Sequence, residues 1–474
     1  MAKLIGRKRE IELLDNYYHS GRAEFIAVYG RRRVGKTFLI RQYFKGDFAF
    51  DVTGIIEGNR AEQMAAFYTA LKSYGYEGKM KSSWIEIFYD LRILLEGKIK
   101  KGKRCVIFID ELPCFDTRKA GFVNALGYFW NSWANWQDGI MLVICGSATS
   151  WLVRNIIDNH GGLHDRITHE MCLHPFTLAE AEEYFLDQGF KWQRLNVLQA
   201  YMAVGGVPYY LSLFERGESP AVGIDRLFFS NNGELRKEYR RLFYSLFRNA
   251  QPYIDIINVL VKTPGGMNRE EIASAMKCRN NGRLGDMLMD LVYCDFLKKT
   301  NVRGKTVKTN DAIYRVVDFF TIFYNTFISK SGIDEHFWSH NANSSAVKVW
   351  YGLAFERVCA SHVPQIKNAL GISGVSSMAY TWRSRKSDPG AQIDLVIERA
   401  DNVVNICEVK YSSTQYSLKQ DEYLKIENRI ATFREETATK SGLIPTMITT
   451  FGLKEGGYAS AIPVSITMED LFNR

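Results

Sequence analysis

Eight residues between a predicted strand and a predicted helix constrain the fold more than any other feature of this sequence. The strand covers residues 25–29, and the loop after it reads Gly30-Arg-Arg-Arg-Val-Gly-Lys-Thr37. This pattern, G-x-x-x-x-G-K-[ST], predicts a phosphate-binding loop, because its glycines and the following helix N-terminus direct backbone N–H groups at phosphate oxygens. Two more apolar runs, 105–109 and 141–145, read as strands buried on both faces, so we expect a parallel sheet covered by helices.

The residues of this loop and of the next two strands predict a nucleotide site with magnesium. Lys36 is expected to reach the β- and γ-phosphates, and the Thr37 hydroxyl to ligate Mg²⁺. Asp110 would hold Mg²⁺ through water, and Glu111 would act as general base for the attacking water. Ser147, after the third strand, either senses the γ-phosphate or is a turn residue. The predicted nucleotide-binding residues of this part are Gly30, Arg31, Arg32, Arg33, Val34, Gly35, Lys36, Thr37, Phe38 and Ser147.

Four motifs in order resemble those of archaeal-type AAA+/STAND-like ATPases. They are Ile5-Gly-Arg-Lys-Arg-Glu10, the 29–37 loop, Asp110-Glu-Leu-Pro113 as Walker B, and Gly205-Gly-Val-Pro208 as the G-x-P motif. The resemblance implies ATP hydrolysis and a helical lid in which Pro208 links the nucleotide to the lid. It also implies that Arg166 stabilises γ-phosphate charge, in cis or from a neighbouring subunit of a homo-oligomer. Asp165 stands where the family usually has glycine, so a structural ion pair of Arg166 is the alternative.

Residues 251–310 contain three short amphipathic helical patterns and then a basic hairpin, a succession that resembles a winged helix. In DNA-binding winged helices the third helix enters the major groove and the wing contacts the backbone. In STAND-like ATPases such modules also serve as intramolecular clamps on the nucleotide domain, and both uses stay open here. The candidate phosphate contacts are Arg279, Arg283, Lys298, Lys299, Arg303 and Lys305.

Two alternating strand patterns near the C-terminus predict an antiparallel hairpin centred near Asp401. That register sets Asp394 opposite Glu408, with Lys410 on the same face. Facing carboxylates repel each other, so the pair indicates a divalent cation, Mg²⁺ or Mn²⁺, bound between them. Lys410 would then position or activate an attacking water.

With Glu356 on a preceding helix, residues 345–450 resemble the PD-(D/E)XK nuclease core, although no proline precedes Asp394. The resemblance implies a metal-dependent DNA endonuclease with catalytic Glu356, Asp394, Glu408 and Lys410, of which Asp394 and Glu408 are the metal ligands. The basic stretch 383–386 beside Trp382 would guide a phosphodiester backbone. The alternatives are an inactivated fold that only binds DNA or a protein partner within a regulatory switch or scaffold, and an ordinary hairpin with exposed charges.

Length and composition limit the class of protein. At 474 residues we expect about three domains from length alone, in an α/β multidomain chain. The predicted parts are a P-loop ATPase core (1–175), a helical lid (176–250), a winged helix (251–335) and a restriction-endonuclease-like domain (345–474). A net charge of +9 permits nucleic-acid binding without requiring it. Eight scattered cysteines argue against disulfides or zinc, and the absence of a signal-peptide pattern or an apolar membrane span predicts a cytoplasmic protein.

Overall fold

A five-stranded parallel sheet forms the first part of the chain, in the order β2–β3–β4–β1–β5. The computed structural model describes residues 3–100, 103–117, 121–158, 163, 165–300, 312–329, 334–384 and 391–473. The strands are β1 (Glu24–Tyr29), β2 (Phe50–Thr53), β3 (Cys105–Asp110), β4 (Ile140–Cys145) and β5 (His169–Cys172). The three predicted strands are confirmed to within one residue, whereas the four-residue strands β2 and β5 were not predicted.

The sheet is buried on both faces because its central strands are apolar except for Glu24 at the start of β1 and Asp110 at the end of β3. Alternate residues of β3 point to opposite sides, so that Ile107 joins one apolar cluster and Phe108 joins the other. Helices cover the two faces, as expected for a parallel sheet. These helices are α1 (Lys8–Tyr18), α2 (Lys36–Tyr43), α3 (Arg60–Ser73), α4 (Trp84–Glu96), α5 (Phe122–Ser132) and α6 (Thr149–Leu152).

Residues 176–236 are helical, as the sequence predicted. Their helices are α7 (Leu178–Asp187), α8 (Arg194–Val204), α9 (Pro208–Leu211) and α10 (Pro220–Ile224). Thr177 caps α7, since its hydroxyl accepts the backbone N–H of Glu180 while the Glu180 carboxylate accepts the N–H of Thr177. The G-x-P segment, residues 205–208, lies where α8 ends and α9 begins.

In the described residues between 234 and 318 there are four helices and a small antiparallel sheet in the order β6–β8–β7. The predicted helical patterns at 252–261, 269–276 and 282–291 correspond to α12, α13 and α14, and the tip of the predicted hairpin lies outside the described residues. The elements are α11 (Glu234–Leu246), α12 (Gln251–Val261), β6 (Met267–Asn268), α13 (Arg269–Ala275), α14 (Gly282–Tyr293), β7 (Leu297–Thr300) and β8 (Ile313–Val316).

The C-terminal part contains a second five-stranded sheet, in the order β13–β12–β11–β10–β9. Strands β9, β10 and β11 are antiparallel neighbours, whereas β11, β12 and β13 run parallel. The helices are α15 (Phe319–Phe323), α16 (Phe337–His340), α17 (Ser345–Ser361), α18 (Val363–Ala369), α19 (Gln420–Thr437) and α20 (Met468–Leu471). The strands are β9 (Ser377–Arg383), β10 (Gln392–Arg399), β11 (Val403–Lys410), β12 (Gly442–Thr449) and β13 (Val464–Thr467).

The chain divides into two compact units, each made of separate segments. Unit 1 contains residues 1–175, 207–209 and 237–318, and unit 2 contains residues 176–206, 210–236 and 319–474. The four-part division read from the sequence stays a prediction. All eight cysteines lie in described ranges and are free thiols. None of the helices in the described ranges is both long enough and apolar enough to cross a bilayer.

Candidate functional site

The loop at residues 30–37 has the conformation that its glycines were expected to permit. Gly30 has a φ of 133°, and a Cβ at this position would lie 2.3 Å from the carbonyl oxygen of Leu173. Gly35 is the N-cap of α2 and has a φ of 91°, which L side chains rarely adopt. The loop is held from outside by the buried Arg7, whose guanidinium donates to the carbonyl oxygen of Val34 at 3.0 Å. The arginine of the N-terminal motif thus supports the loop, a role that the sequence did not reveal.

Lys36 lies inside the loop rather than on its surface. Only 6% of the residue is exposed, and its Nζ donates to the carbonyl oxygens of Gly30 at 2.7 Å and Arg31 at 2.9 Å. Burial lowers the pKa of the Lys36 ammonium. A phosphate oxygen is a stronger acceptor than a neutral carbonyl, so this ammonium can transfer its hydrogen bonds to a phosphate bound in the loop.

Thr37 and Asp110 come together at the carboxyl end of the parallel sheet. The Thr37 hydroxyl donates to Asp110 Oδ2 at 2.9 Å, and Asp110 Oδ1 accepts the backbone N–H of Glu111 at 3.0 Å. A hydroxyl and a carboxylate side by side are oxygen donors of the kind that Mg²⁺ prefers, so these two residues fit the predicted metal role.

Glu111 is held in a defined orientation. Its backbone is left-handed, with a φ of 47°, and Oε2 accepts hydrogen bonds from the backbone N–H of Ser147 at 3.0 Å and from the Ser147 hydroxyl at 2.9 Å. Ser147 therefore contacts the candidate general base. The two interpretations offered by the sequence, a γ-phosphate sensor or a turn residue, did not include this contact.

Two of the three arginines of the loop form ion pairs within unit 1. Arg31 is 2% exposed, pairs with Asp318 and lies over the ring of Phe296. Arg33 pairs with Glu238 at 2.9 Å.

The guanidinium of Arg33 also lies 3.9 Å from the ring centroid of Tyr209, the residue after Pro208. Sequence reasoning missed Tyr209, Glu238, Phe296 and Asp318, because nothing in the local pattern of residues 30–37 indicates partners so far along the chain.

Four other residues were predicted to contact the nucleotide, namely Arg32, Phe38, Arg166 and Pro208. Arg32 is half-buried, and Phe38 is 41% exposed on α2. Pro208 begins α9. Arg166 is exposed, and within the described ranges its guanidinium has no ion-pair or hydrogen-bond partner in the loop. The structure thus brings together Lys36, Thr37, Asp110, Glu111 and Ser147, and it does not join Arg166 to them.

Asp394 lies where the ladder between β9 and β10 is irregular. The pairing runs from Ile393–Trp382 to Val396–Tyr380, which leaves one extra residue on β10. Such a bulge redirects a side chain locally. The β10–β11 register, which pairs Leu395 with Cys407, places Asp394 opposite Glu408 as predicted. Asp394 Oδ2 accepts the backbone N–H of Val409 at 3.0 Å.

Glu408 is largely buried and has two cationic partners. Lys410 Nζ lies 2.7 Å from its Oε1, and Arg429 of α19 pairs with its Oε2. A cavity of about 160 Å³ adjoins this network, with Lys410, Lys425 and Arg429 in its wall. Arg429 could not be singled out from the sequence, because a single arginine on an amphipathic helix is typical of a solvated face.

The carboxyls of Glu356 and Asp394 are buried, and the charge of Asp394 disfavours ionisation of Glu356. Burial, followed by the charge of Asp394, raises the pKa of Glu356 to about 7. Burial, followed by the charge of Glu408, raises the pKa of Asp394 to about 6. Burial opposes ionisation of Lys410, yet the charge of Glu408 raises its pKa. In the part of the chain that is described, no three His, Cys, Asp or Glu side chains are arranged to hold a metal ion.

Comparison with known proteins identifies the family of the first part of the chain. Residues 4–214 match the family described as an ATPase domain predominantly from Archaea. This part of the chain is an archaeal-type ATPase domain. Its match ends before Glu238 and Asp318, so both acids that pair with the loop arginines lie outside the matched residues.

Two proteins of Methanocaldococcus jannaschii are similar in sequence. The uncharacterized protein MJECL04 is 22% identical over 413 residues, covering 86% of this chain and 87% of the relative. The uncharacterized ATP-binding protein MJ0423 is 44% identical over 45 residues, covering 10% of this chain and 76% of the relative. Among solved structures, the Walker-type ATPase PABY2304 of Pyrococcus abyssi has 17% identity and a TM-score of 0.46, covering 68% of this chain and 96% of that one.

Proposed function

We propose that the ATPase domain hydrolyses ATP in the manner of AAA+/STAND-like proteins. The carrying observation is the hydrogen bond from Thr37 to Asp110, because it puts a metal-binding hydroxyl and the Walker B carboxylate at one sheet edge. In this proposal Lys36 binds the β- and γ-phosphates, and Thr37 and Asp110 hold Mg²⁺, which would neutralise phosphate charge. Arg166 is assigned no contact.

Glu111 is the proposed general base. Its Oε2 is fixed by Ser147, which leaves Oε1 to accept a proton from a water that attacks the γ-phosphate. Orientation by Ser147 matters because a base must lie within hydrogen-bond reach of the proton that it removes.

The test of this function is ATP binding and phosphate release by the purified full chain. Lys36→Ala should weaken nucleotide binding, because it removes the ammonium that faces the phosphates, and Thr37→Ala should reduce the magnesium dependence of binding. Nucleotide affinity equal to the parent's in Lys36→Ala would contradict the assignment of the loop.

For the C-terminal part we propose a Mg²⁺- or Mn²⁺-dependent DNA endonuclease with a PD-(D/E)XK-like site. Support comes from the register that sets Asp394 opposite Glu408, from the charge of Asp394 acting on the Glu356 carboxyl, and from Lys410 beside Glu408. Asp394 and Glu408 would hold the cation, which supplies activation of water and stabilisation of phosphate charge. Lys410 would position that water.

A second candidate is a regulatory switch or scaffold whose C-terminal domain binds DNA or a protein without cleaving it. The ion pairs of Glu408 with Lys410 and Arg429 favour it, since a cation would have to compete with both for the same carboxylate. Incubation of plasmid and single-stranded DNA with the full chain, with and without ATP, Mg²⁺ and Mn²⁺, separates the two candidates. Cleavage that needs the metal supports the endonuclease.

The module at residues 251–335 is proposed as a winged helix that contacts DNA. Arg279, Arg283 and Lys298 are exposed, and Lys299 is half-buried. Arg303, Lys305 and the basic residues Arg385 and Lys386 lie outside the described residues. The clamp on the nucleotide domain is the rival use, and the ion pairs of Glu238 and Asp318 with the loop arginines are compatible with it.

A further inference from the structure

Helix α11 has an exposed basic face that no motif of the sequence accounts for. Lys237, Arg240 and Arg241 are exposed and lie at helical spacings of three and four residues, which place them on one face. Tyr244, at the next position of that face, is 59% exposed. Arg248, just past the end of the helix, is exposed as well.

These cations are not engaged by acidic side chains. Within the described ranges no ion pair involves Lys237, Arg240, Arg241 or Arg248, whereas several other exposed arginines are paired, for example Arg22 with Glu24. The acid on the same side of the helix is Glu234, at its first turn. Four unpaired cations within twelve residues form a concentrated positive surface.

The opposite face of α11 is buried, so the side of the helix that carries the cations has a fixed direction. Leu242 and Phe243 are buried, and the ring of Phe243 packs against Phe296 at 4.8 Å. Glu238 is buried and pairs with Arg33 of the phosphate-binding loop. Because the apolar side is already packed in the core of unit 1, it is not free to insert into a bilayer as a membrane-surface helix would.

We propose that this α11 basic face binds the sugar–phosphate backbone of duplex DNA without reading bases. From Lys237 to Tyr244 the face extends about 10 Å, and one strand presents a phosphate about every 3.4 Å along the duplex, so about three phosphates lie within reach. Lysine, arginine and tyrosine side chains are the usual donors to phosphate oxygens. The inference rests on the proposed DNA partner, and it assigns contact to a helix distinct from the predicted wing.

The test is fluorescence anisotropy of a labelled blunt DNA duplex titrated with the full chain over a series of salt concentrations, with EDTA and no nucleotide. The double variant Arg240→Gln/Arg241→Gln is compared with Lys8→Gln/Arg9→Gln, an adjacent exposed basic pair on α1 with the same loss of charge. The α11 variant should bind more weakly, and its log–log salt slope should be shallower by about 1.8, or about 0.9 for each lost phosphate contact. The α1 variant should keep the slope of the parent.

Conservative replacement by lysine at both positions should restore the slope, and Arg241→Glu should weaken binding further. Equal affinity and slope in the two glutamine variants would overturn the α11 assignment while leaving DNA binding intact. No binding by the parent would instead refute the proposed DNA partner itself. Displacement of the duplex by polyglutamate at matched charge would overturn the choice of DNA in favour of an acidic protein segment.

Discussion

Glu111 and Ser147 form the contact on which the proposed hydrolysis most directly depends. We expect Glu111→Gln to keep ATP binding and to lose turnover by about 10²–10⁴, the usual contribution of a positioned general base. Ser147→Ala should lose less, because the carboxylate remains and only its orientation is relaxed. The measurement is phosphate release under saturating ATP, together with nucleotide affinity.

Two outcomes would contradict this assignment. Unchanged turnover in Glu111→Gln would reject Glu111 as the base. A loss in Ser147→Ala as large as that in Glu111→Gln would mean that Ser147 itself contacts the phosphate, which is the sensor role that the sequence suggested.

The ion pair of Arg31 and Asp318 is nearly inaccessible to water. Asp318→Ala leaves a buried guanidinium without its carboxylate, so we expect a loss of about 3–5 kcal/mol in the free energy of unfolding. The double replacement Arg31→Met/Asp318→Leu should recover most of that loss, since two apolar side chains carry no desolvation penalty. Urea-induced unfolding of the three proteins measures this difference. Equal stability of the parent and Asp318→Ala would show that the pair is dispensable.

How much of the site could be predicted depends on the distance between partners in the sequence. Lys36, Thr37, Asp110 and Glu111 are recognisable because a strand, a turn and a helix place them by local geometry. The pairing of Arg31 with Asp318 spans 287 residues, and no spacing rule reaches so far. The roles of Arg7 and Ser147 were missed for a related reason, because each acts on a neighbour in space rather than on a nucleotide.

At the scale of elements, the β10–β11 hairpin carries the metal prediction. If Asp394 and Glu408 bind a divalent cation, Mn²⁺ should raise the unfolding temperature of the parent and not that of Asp394→Asn. A bound ion stabilises by about 2.7 kcal/mol at a hundredfold excess over its dissociation constant. Thermal unfolding without nucleotide, with and without Mn²⁺, measures the effect. Equal shifts in both proteins, or none in either, would favour the scaffold.

Helix α17 carries Glu356, whose pKa is raised more strongly than that of Asp394. Its titration should change the free energy of unfolding even without a metal. The pKa of Glu356 rises from 4.5 to about 7 on folding, so the folded chain binds more protons between those values. The free energy of unfolding should therefore fall as the pH rises through this window. Glu356→Gln, which does not titrate, should show a flatter profile of unfolding temperature against pH. Parallel profiles in the two proteins would contradict the raised pKa.

The elements themselves were mostly predictable where their pattern was long or strongly apolar. The hairpin register followed from its turn, and the module helices α12 and α14 followed from their periodicity. Strands β2 and β5 were missed because four residues carry too little alternation to separate them from loops. The bulge beside Asp394 and the ion pair from α19 to Glu408 depend on packing that the hairpin sequence does not encode.

At the scale of the whole molecule, the two units are interleaved along the chain. The chain passes from one unit to the other after residues 175, 206, 209, 236 and 318. A fragment ending at residue 214, the end of the family match, would lack the acids that pair with Arg31 and Arg33. We expect it to be less stable than the full chain and prone to aggregation, which size-exclusion chromatography and thermal unfolding would measure. A monomeric fragment with the full chain's unfolding temperature would contradict this view.

The same interleaving sets an order in time during synthesis on the ribosome. The last of the four ATPase motifs ends at Pro208, but Asp318 is made 110 residues later. At ordinary elongation rates of roughly 5–20 residues per second, this interval lasts roughly 5–20 s. During that interval the glycines, lysine and threonine of the phosphate-binding loop have been synthesised, but Asp318, the ion-pair partner of Arg31, has not. Unit 1 therefore cannot be completed until Asp318, a residue outside all four motifs, has been synthesised.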